Sequence, residues 1–338
     1  MGNILSPGHS FLDLSGYIVS GKQAYSDLLR EFKGFKIPEP EFEFELIRIQ
    51  GGIRDLETAL VDDWSAIRAD SAIRRYRKVV SRFGTVNKLT NPKTWFKSVG
   101  WNYNQHFQGK FFELSEKFIN KLVTASWNTN WPYPLVEECD HDLFTRKVAH
   151  KFHIKKAMDF EISLSAPDDF LEAVNEYLSD LLSTGVSENI DTIVTHNAFE
   201  PFNPSRALRY LPNSKCLIID RDPRDSFVAM LPHRHLALSV DDFIQRYRIY
   251  HKMIQHDKDI PGKILRVRYE DLIFSYDQTI INVLNFLEVS PEAHVEPLKY
   301  FNPEKSIKFT QIWKKHQKKE EIEKIHLALN EWCDLRID

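Results

Sequence analysis

GYIVSGKQAYSDLL, residues 16–29, sets Gly16 and Gly21 five positions apart, with Lys22 directly after the second glycine and Gln23 after that. The pattern G-x-x-x-x-G-K-Q is one residue away from the phosphate loop G-x-x-x-x-G-K-[ST], in which backbone N–H groups cradle phosphates and the lysine neutralises them. A Ser or Thr hydroxyl at the last position ligates Mg²⁺, and the Gln23 amide is a poor substitute. The loop therefore reads as a phosphate site that works without the usual metal. Upstream, SFLDLSGYIV is an apolar-rich run; downstream, Ala24, Leu28 and Phe32 recur at helical spacing. Strand, tight glycine turn and helix is the context a phosphate loop needs, because the helix then aims free N–H groups and its positive dipole end at the anion.

Further along, TIVTHN, KCLIIDR and KILRVRY are short β-branched runs, and FEFELIRI from Phe42 alternates like a strand. Helical patterns lie between and after them, notably SVDDFIQRYRIYHKMI and DQTIINVLNFL. Strands alternating with helices predict an α/β fold with a parallel central sheet covered on both faces and ligands at the carboxyl ends of the strands. Residues 60–135 differ. Five of the seven tryptophans, Trp64, Trp95, Trp101, Trp127 and Trp131, fall there, and the stretch is expected to be a helical insertion covering the mouth of the sheet, with most of its aromatics forming its own core.

At 338 residues the chain can bury a large core, and a net charge of −3 gives no support for nucleic-acid binding. Three scattered cysteines, Cys139, Cys216 and Cys333, argue against a disulfide framework and for a reducing, cytoplasmic setting. No apolar run approaches the roughly 18 residues of a membrane span, and no signal-peptide layout opens the sequence. MGNILS fits a short acylation pattern but lacks an adjacent basic patch. There is no internal repeat, and KKHQKKEEIEK reads as a solvated helix face.

Two more constellations join the first. RDPRD begins at Arg221, at the end of a strand and the start of a helix, and THNAFEPF puts His196 at a strand end 25 positions earlier. In this order the chain resembles the sulfotransferase family, which uses 3′-phosphoadenosine 5′-phosphosulfate (PAPS). The resemblance implies a P-loop NTPase-like three-layer α/β/α fold with a helical substrate-binding insertion. It places Ser20, Gly21, Lys22, Gln23 and Ala24 in the loop that holds the 5′-phosphosulfate. Arg221, in the R-(N/D)-P-x-D element, would bind the 3′-phosphate, and His196, in VTHNAF, would be the base. RVRYEDLIFSYDQTIINVLNFLEV is similar to the RYEDL segment of bacterial and glycan-directed members. EKSIKFTQIWKKH resembles their closing segment, which would bring Trp313 and Lys314 near the nucleotide. Val19 stands where the family usually has Lys or Arg, its lysine coming three places later as Lys22. Ala229 stands where a serine is expected, a role Ser226 could take.

The implied chemistry is in-line transfer of SO₃ from PAPS to an alcohol. His196 would accept the proton and Lys22 would stabilise the departing phosphate, with no metal required. The acceptor would be a hydroxyl on a carbohydrate or glycolipid, with no nucleic acid, no stable membrane insertion and a homodimer left open. Two alternatives stand beside this reading. KCLIID, ending in Asp220, looks like the acidic strand that holds Mg²⁺ in kinases of small hydroxylated substrates, and a non-catalytic nucleotide- or glycan-binding relative would fit Ala229 and the displaced lysine. Cys139, His141, His150 and His153 match no common zinc spacing. His233 to His235 read as a loop, and Tyr269 and Glu270 as structural.

Overall fold

The computed structural model describes residues 8–17, 19–88, 90–91, 94, 96–129, 139–152, 154, 158–233, 236–254 and 260–337. The MGNILS segment, Trp95, Trp131, His153 and His235 lie outside them, as does the side chain of His150. The chain divides into two compact units, one formed by the chain up to Phe44 and from Val186 onward, the other by Glu45–Gly185.

The first unit is built on a five-stranded sheet. Strands β1 (Ser10–Gly16), β2 (Phe35–Lys36), β5 (Thr192–His196), β6 (Ser214–Asp220) and β7 (Ile264–Arg268) run in the order β2-β5-β1-β6-β7. All pairings are parallel, so every strand delivers its carboxyl end to one edge. Register places Leu14 beside His196 and Asp220 beside Arg268. The central strands are buried on both faces, which explains their short, nearly continuous apolar runs. Alternate residues Leu12 and Leu14 join Val194, Leu217 and Ile219 in a core with Tyr25, Leu28 and Leu29 of helix α1 (Lys22–Leu29). A second cluster gathers Phe227 and Met230 of α6 (Pro223–Met230), Phe243, Ile244 and Tyr247 of α7 (Val240–Ile254), and Ile322, Ile325 and Leu329 of α10 (Lys319–Leu329). Helices α8 (Tyr269–Phe274) and α9 (Tyr276–Leu287) also belong to this unit, with Leu272, Ile273, Val283 and Leu284 packed into the first core.

One strand expectation fails. FEFELIRI forms no strand: residues 41–44 are irregular and Glu45–Ile47 are a 3₁₀ turn. Phe44 is buried and its N–H donates to the His196 carbonyl at 2.8 Å. The alternation is real, but it sorts Phe44 into the core and Glu41 and Glu43 toward α1, rather than pairing a sheet edge.

The second unit is mostly helical, with α2 (Ala66–Gly84), α3 (Phe111–Leu122), α4 (Asp140–Lys151) and α5 (Pro167–Leu182). Strands β3 (Ala125–Thr129) and β4 (Met158–Ile162) form an antiparallel ribbon. Its core is aromatic: Tyr76, Tyr103, Phe111, Phe118 and Tyr177 are buried, with Phe118 stacked on Tyr177 at 4.7 Å. Trp101 stacks on Phe83, whereas Trp64 and Trp127 remain about half exposed. Among the described residues no helix is long and apolar enough to cross a membrane.

Candidate functional site

The chain leaves β1 at Gly16 and enters α1 at Lys22 through a loop in which Gly21 has φ 86°. Only glycine serves there: the conformation is left-handed, and a Cβ would lie 2.5 Å from the Tyr269 ring. Ala24 turns its N–H back to the Gly21 carbonyl. Lys22 and Gln23 occupy the first turn of α1, where helix geometry leaves N–H groups free to face an anion. Ser20, just before them, is buried.

A short acidic segment surrounds this loop, and the sequence reading did not single it out. The Lys22 ammonium pairs with Glu43 Oε1 at 2.5 Å. Glu43 also accepts from Asn197 Nδ2 at 2.8 Å, and Asn197 Oδ1 accepts the Gly16 N–H. Glu41 Oε1 accepts from Gln23 Nε2, Ser26 Oγ and Arg30 Nη2, at 2.8, 3.1 and 2.6 Å. Gln23, which stands where a phosphate loop has its metal-ligating Ser or Thr and was expected in the 5′-phosphosulfate loop, is turned to Glu41 and, more distantly, to Asp27.

His196 ends β5 within this network and is nearly buried. Its Nδ1 lies 3.4 Å from Glu41 Oε2, and its Nε2 lies 3.3 Å from Ser26 Oγ. Burial holds the imidazole down to about 4, against the opposing pull of Glu41, so the ring is neutral at pH 7. A proton on Nδ1 facing Glu41 leaves the Nε2 lone pair as the basic site, provided Ser26 gives its own proton to Glu41. The turn after His196 is fixed from beneath by Asp13. That fully buried carboxylate accepts from Thr195 Oγ1 at 2.8 Å and from the N–H groups of Ala198 and Phe199 at 2.8 and 3.1 Å. Ser15 Oγ also bonds it.

The RDPRD element makes the other half of the site. Arg221 follows β6, is buried, and donates through Nη1 to the Val19 carbonyl at 3.1 Å and through Nη2 to the Phe309 carbonyl at 2.5 Å. The first bond ties it to the phosphate loop. Its guanidinium lies 5.1 Å from the Tyr269 ring centre, and its Nε has no partner among the described residues. Asp222 caps α6 by accepting the Arg224 N–H and grips the Arg224 guanidinium with both oxygens. Asp225 receives the N–H groups of Gln311 and Trp313 at 2.7 and 3.1 Å, and burial raises its carboxyl to about 6. Glu270, likewise pushed up by burial to about 7, accepts the Asp222 N–H.

The structure thus brings the Ser20–Ala24 loop, His196 and Arg221 together at one end of the first unit. Ser226 is buried in the first turn of α6, and Ala229 lies on the same helix, half-buried. Trp313 packs its ring at 4.3 Å from the Arg224 guanidinium, and its Nε1 is buried without a partner among the described residues. Lys314 is exposed, its ammonium 5.3 Å from the Trp313 ring centre. Glu41, Glu43, Ser26 and Arg30 are the site's unforeseen members. The signal for the two glutamates was present in PEPEFEFE, where four glutamates at alternate positions suit a charged surface better than a sheet.

Among solved structures the chain is similar to a sulfotransferase, STF9, from Mycobacterium avium, with 12% identity, 98% of this chain and 79% of that one covered, and a TM-score of 0.39. It is similar also to the sulfotransferase domain of the olefin synthase from Synechococcus PCC 7002, with 13% identity, 99% and 98% coverage and a TM-score of 0.43. A third is retinol dehydratase in complex with androsterone and inactive cofactor PAP, at 13% identity, 98% and 83% coverage and a TM-score of 0.36. No curated protein matches the sequence. The profile of the sulfotransferase family matches residues 105–293, more than half of the chain and the part that carries His196, the RDPRD element and RYEDL. The chain belongs to the sulfotransferase family.

Proposed function

We propose that the protein transfers a sulfuryl group from PAPS to a hydroxyl of a carbohydrate or glycolipid acceptor. The observation that carries the donor is that one loop joins two cations. Lys22 opens the helix after it, and Arg221 is bonded to its Val19 carbonyl with a buried Nε still unpartnered among the described residues. A nucleotide with anions at both its 5′ and 3′ ends suits such a pair. The complex of retinol dehydratase with PAP is consistent with that donor. The glycan class rests on the similarity of RYEDL to glycan-directed members.

In the reaction the acceptor oxygen attacks sulfur in line, the S–O bond to the 5′-phosphate breaks, and the charge released on that phosphate meets Lys22 and the first-turn N–H groups of α1. The acceptor proton passes to His196 Nε2, and Glu41 steadies the imidazolium through Nδ1. A second reading takes Glu43 as the base, because its side chain is 44% exposed and within 2.5 Å of Lys22, whereas His196 is nearly buried.

Calorimetric titration with 3′-phosphoadenosine 5′-phosphate and with ATP, each with and without Mg²⁺, tests the donor. Metal-independent preference for the former is expected. Preference for Mg²⁺-ATP would overturn the reading, and tight binding without any turnover on hydroxylated acceptors would point to a non-catalytic relative.

A further inference from the structure

Along helix α4 (Asp140–Lys151) Leu143, Thr145, Arg146 and Ala149 are half-buried, and none of the described side chains is fully buried. Twelve residues is at the lower limit of what holds a helix in water without tertiary support. The neighbouring ribbon, by contrast, is anchored. Phe160 of β4 is buried, Asp70 of α2 accepts the Glu161 N–H at 2.9 Å, and Arg77 of α2 pairs with Glu161.

One face of α4 is distinctive. Phe144, Lys147, Val148, Lys151 and Phe152 follow one another at i, i+3, i+4, i+7 and i+8, and all five are exposed. The Phe152 N–H donates to the Val148 carbonyl at 3.1 Å, so the helical spacing holds through Phe152. Phe144 and Phe152 are 65% and 66% exposed, and Ile154 just beyond is 62% exposed. Asp140 and Asp142 are the acidic groups of this helix and sit in its first turn, away from Lys151 and Phe152. Three apolar side chains interleaved with two lysines, in a protein whose net charge is −3, make a local surface that is both apolar and cationic.

We propose that this face of α4 docks on an anionic lipid surface, lying in the interface plane with its phenylalanines at the headgroup–acyl boundary and Lys147 and Lys151 among the acidic headgroups. Charge selects this occupant. An uncharged or cationic partner would leave the two lysines without compensation, while an anionic bilayer accepts apolar and basic side chains from the same helix face.

The test is co-sedimentation of the full chain with vesicles of phosphatidylcholine alone and of an equimolar mixture with phosphatidylglycerol. Partitioning to the anionic vesicles should be stronger, should weaken with added salt, and should fall by about fivefold for each of Lys147→Glu and Lys151→Glu. Phe144→Ser with Phe152→Ser should abolish the remainder, while thermal unfolding of each variant stays at the wild-type temperature because the residues are exposed. Equal partitioning to both vesicles, or binding unchanged by these substitutions, would overturn the proposal. So would a wild-type dimer in sedimentation velocity that Phe144→Ser with Phe152→Ser disperses, since a second copy would then be the occupant.

Discussion

Around Lys22 and His196 the contacts run from side chain to side chain, whereas around Arg221 and Asp225 they run from side chain to backbone. Glu41 and Glu43 engage Gln23, Ser26, Arg30, Lys22 and Asn197 through flexible carboxylates. Arg221 and Asp225 instead hold the Val19 and Phe309 carbonyls and the Gln311 and Trp313 N–H groups. A rotamer change can release a carboxylate from an ammonium, but no rotamer change moves a backbone carbonyl. The Lys22 half can thus exchange one anion for another, and on the proposed reading Glu43 is the anion that a substrate 5′-phosphate would displace from Lys22. The Arg221 half is preformed, its phosphate loop, α6 and closing segment locked by the same residues that, on the proposed reading, would meet the nucleotide.

The largest effect should come from the exchangeable half. His196→Ala is expected to lower kcat by about 10²–10⁴-fold, the range for loss of a positioned base, with nucleotide affinity nearly intact. Glu43→Gln should leave kcat close to wild type and tighten 3′-phosphoadenosine 5′-phosphate by a few fold, because Lys22 no longer has an internal anion to give up. Steady-state kinetics and calorimetry on the two variants read both quantities. A large kcat loss in Glu43→Gln with little loss in His196→Ala would transfer the base role to Glu43.

The preformed half should respond more modestly and more selectively. Arg221→Ala removes a charge-assisted donor worth about 1.5–3 kcal/mol, so binding of 3′-phosphorylated nucleotides should weaken by about 10–100-fold. Binding of the same nucleotide without its 3′-phosphate should change little. Equal losses for both would mean that Arg221 serves only to hold the Val19 and Phe309 carbonyls.

The same contrast explains what the sequence made legible. The parallel sheet follows from TIVTHN, KCLIIDR and KILRVRY, because strands buried on both faces announce themselves as short apolar runs, and the observed strands are β5, β6 and β7. RDPRD is local: the cap Asp222, the buried Arg224 and the clasp Asp225 lie within four residues of Arg221, so a contiguous motif contains nearly the whole half-site. The Lys22 half is non-local. Glu41 and Glu43 lie about two α1 lengths downstream and reach the site because Phe44 is buried and bonded to the His196 carbonyl, a tertiary contact that no periodicity encodes. Period-two alternation was read as pairing when it only sorts faces. Asp13, between Leu12 and Leu14 in β1, was the one visible sign that the end of β5 needed an internal carboxylate.

The smallest expected effect distinguishes the halves by sign. Among the groups that burial shifts are His196 in one half and Asp225 in the other. His196 is held down to about 4 from an ordinary 6.5, so between these values the unfolded chain binds a proton that the folded chain refuses. Its contribution to stability is therefore present at neutral pH and is lost as pH falls from about 6.5 to 4. Asp225 is raised from 3.8 to about 6, so the folded chain takes up a proton that the unfolded chain does not. Its contribution is full below 3.8 and is lost as pH rises through about 6. Urea unfolding of the wild type, His196→Asn and Asp225→Asn at several pH values between 4 and 7 measures both. The stability of wild type relative to His196→Asn should decline on acidification, and that relative to Asp225→Asn should rise. If both differences moved in the same direction, burial would not be what sets the protonation of the two halves, and the neutral imidazole on which the base assignment depends would lose its physical cause.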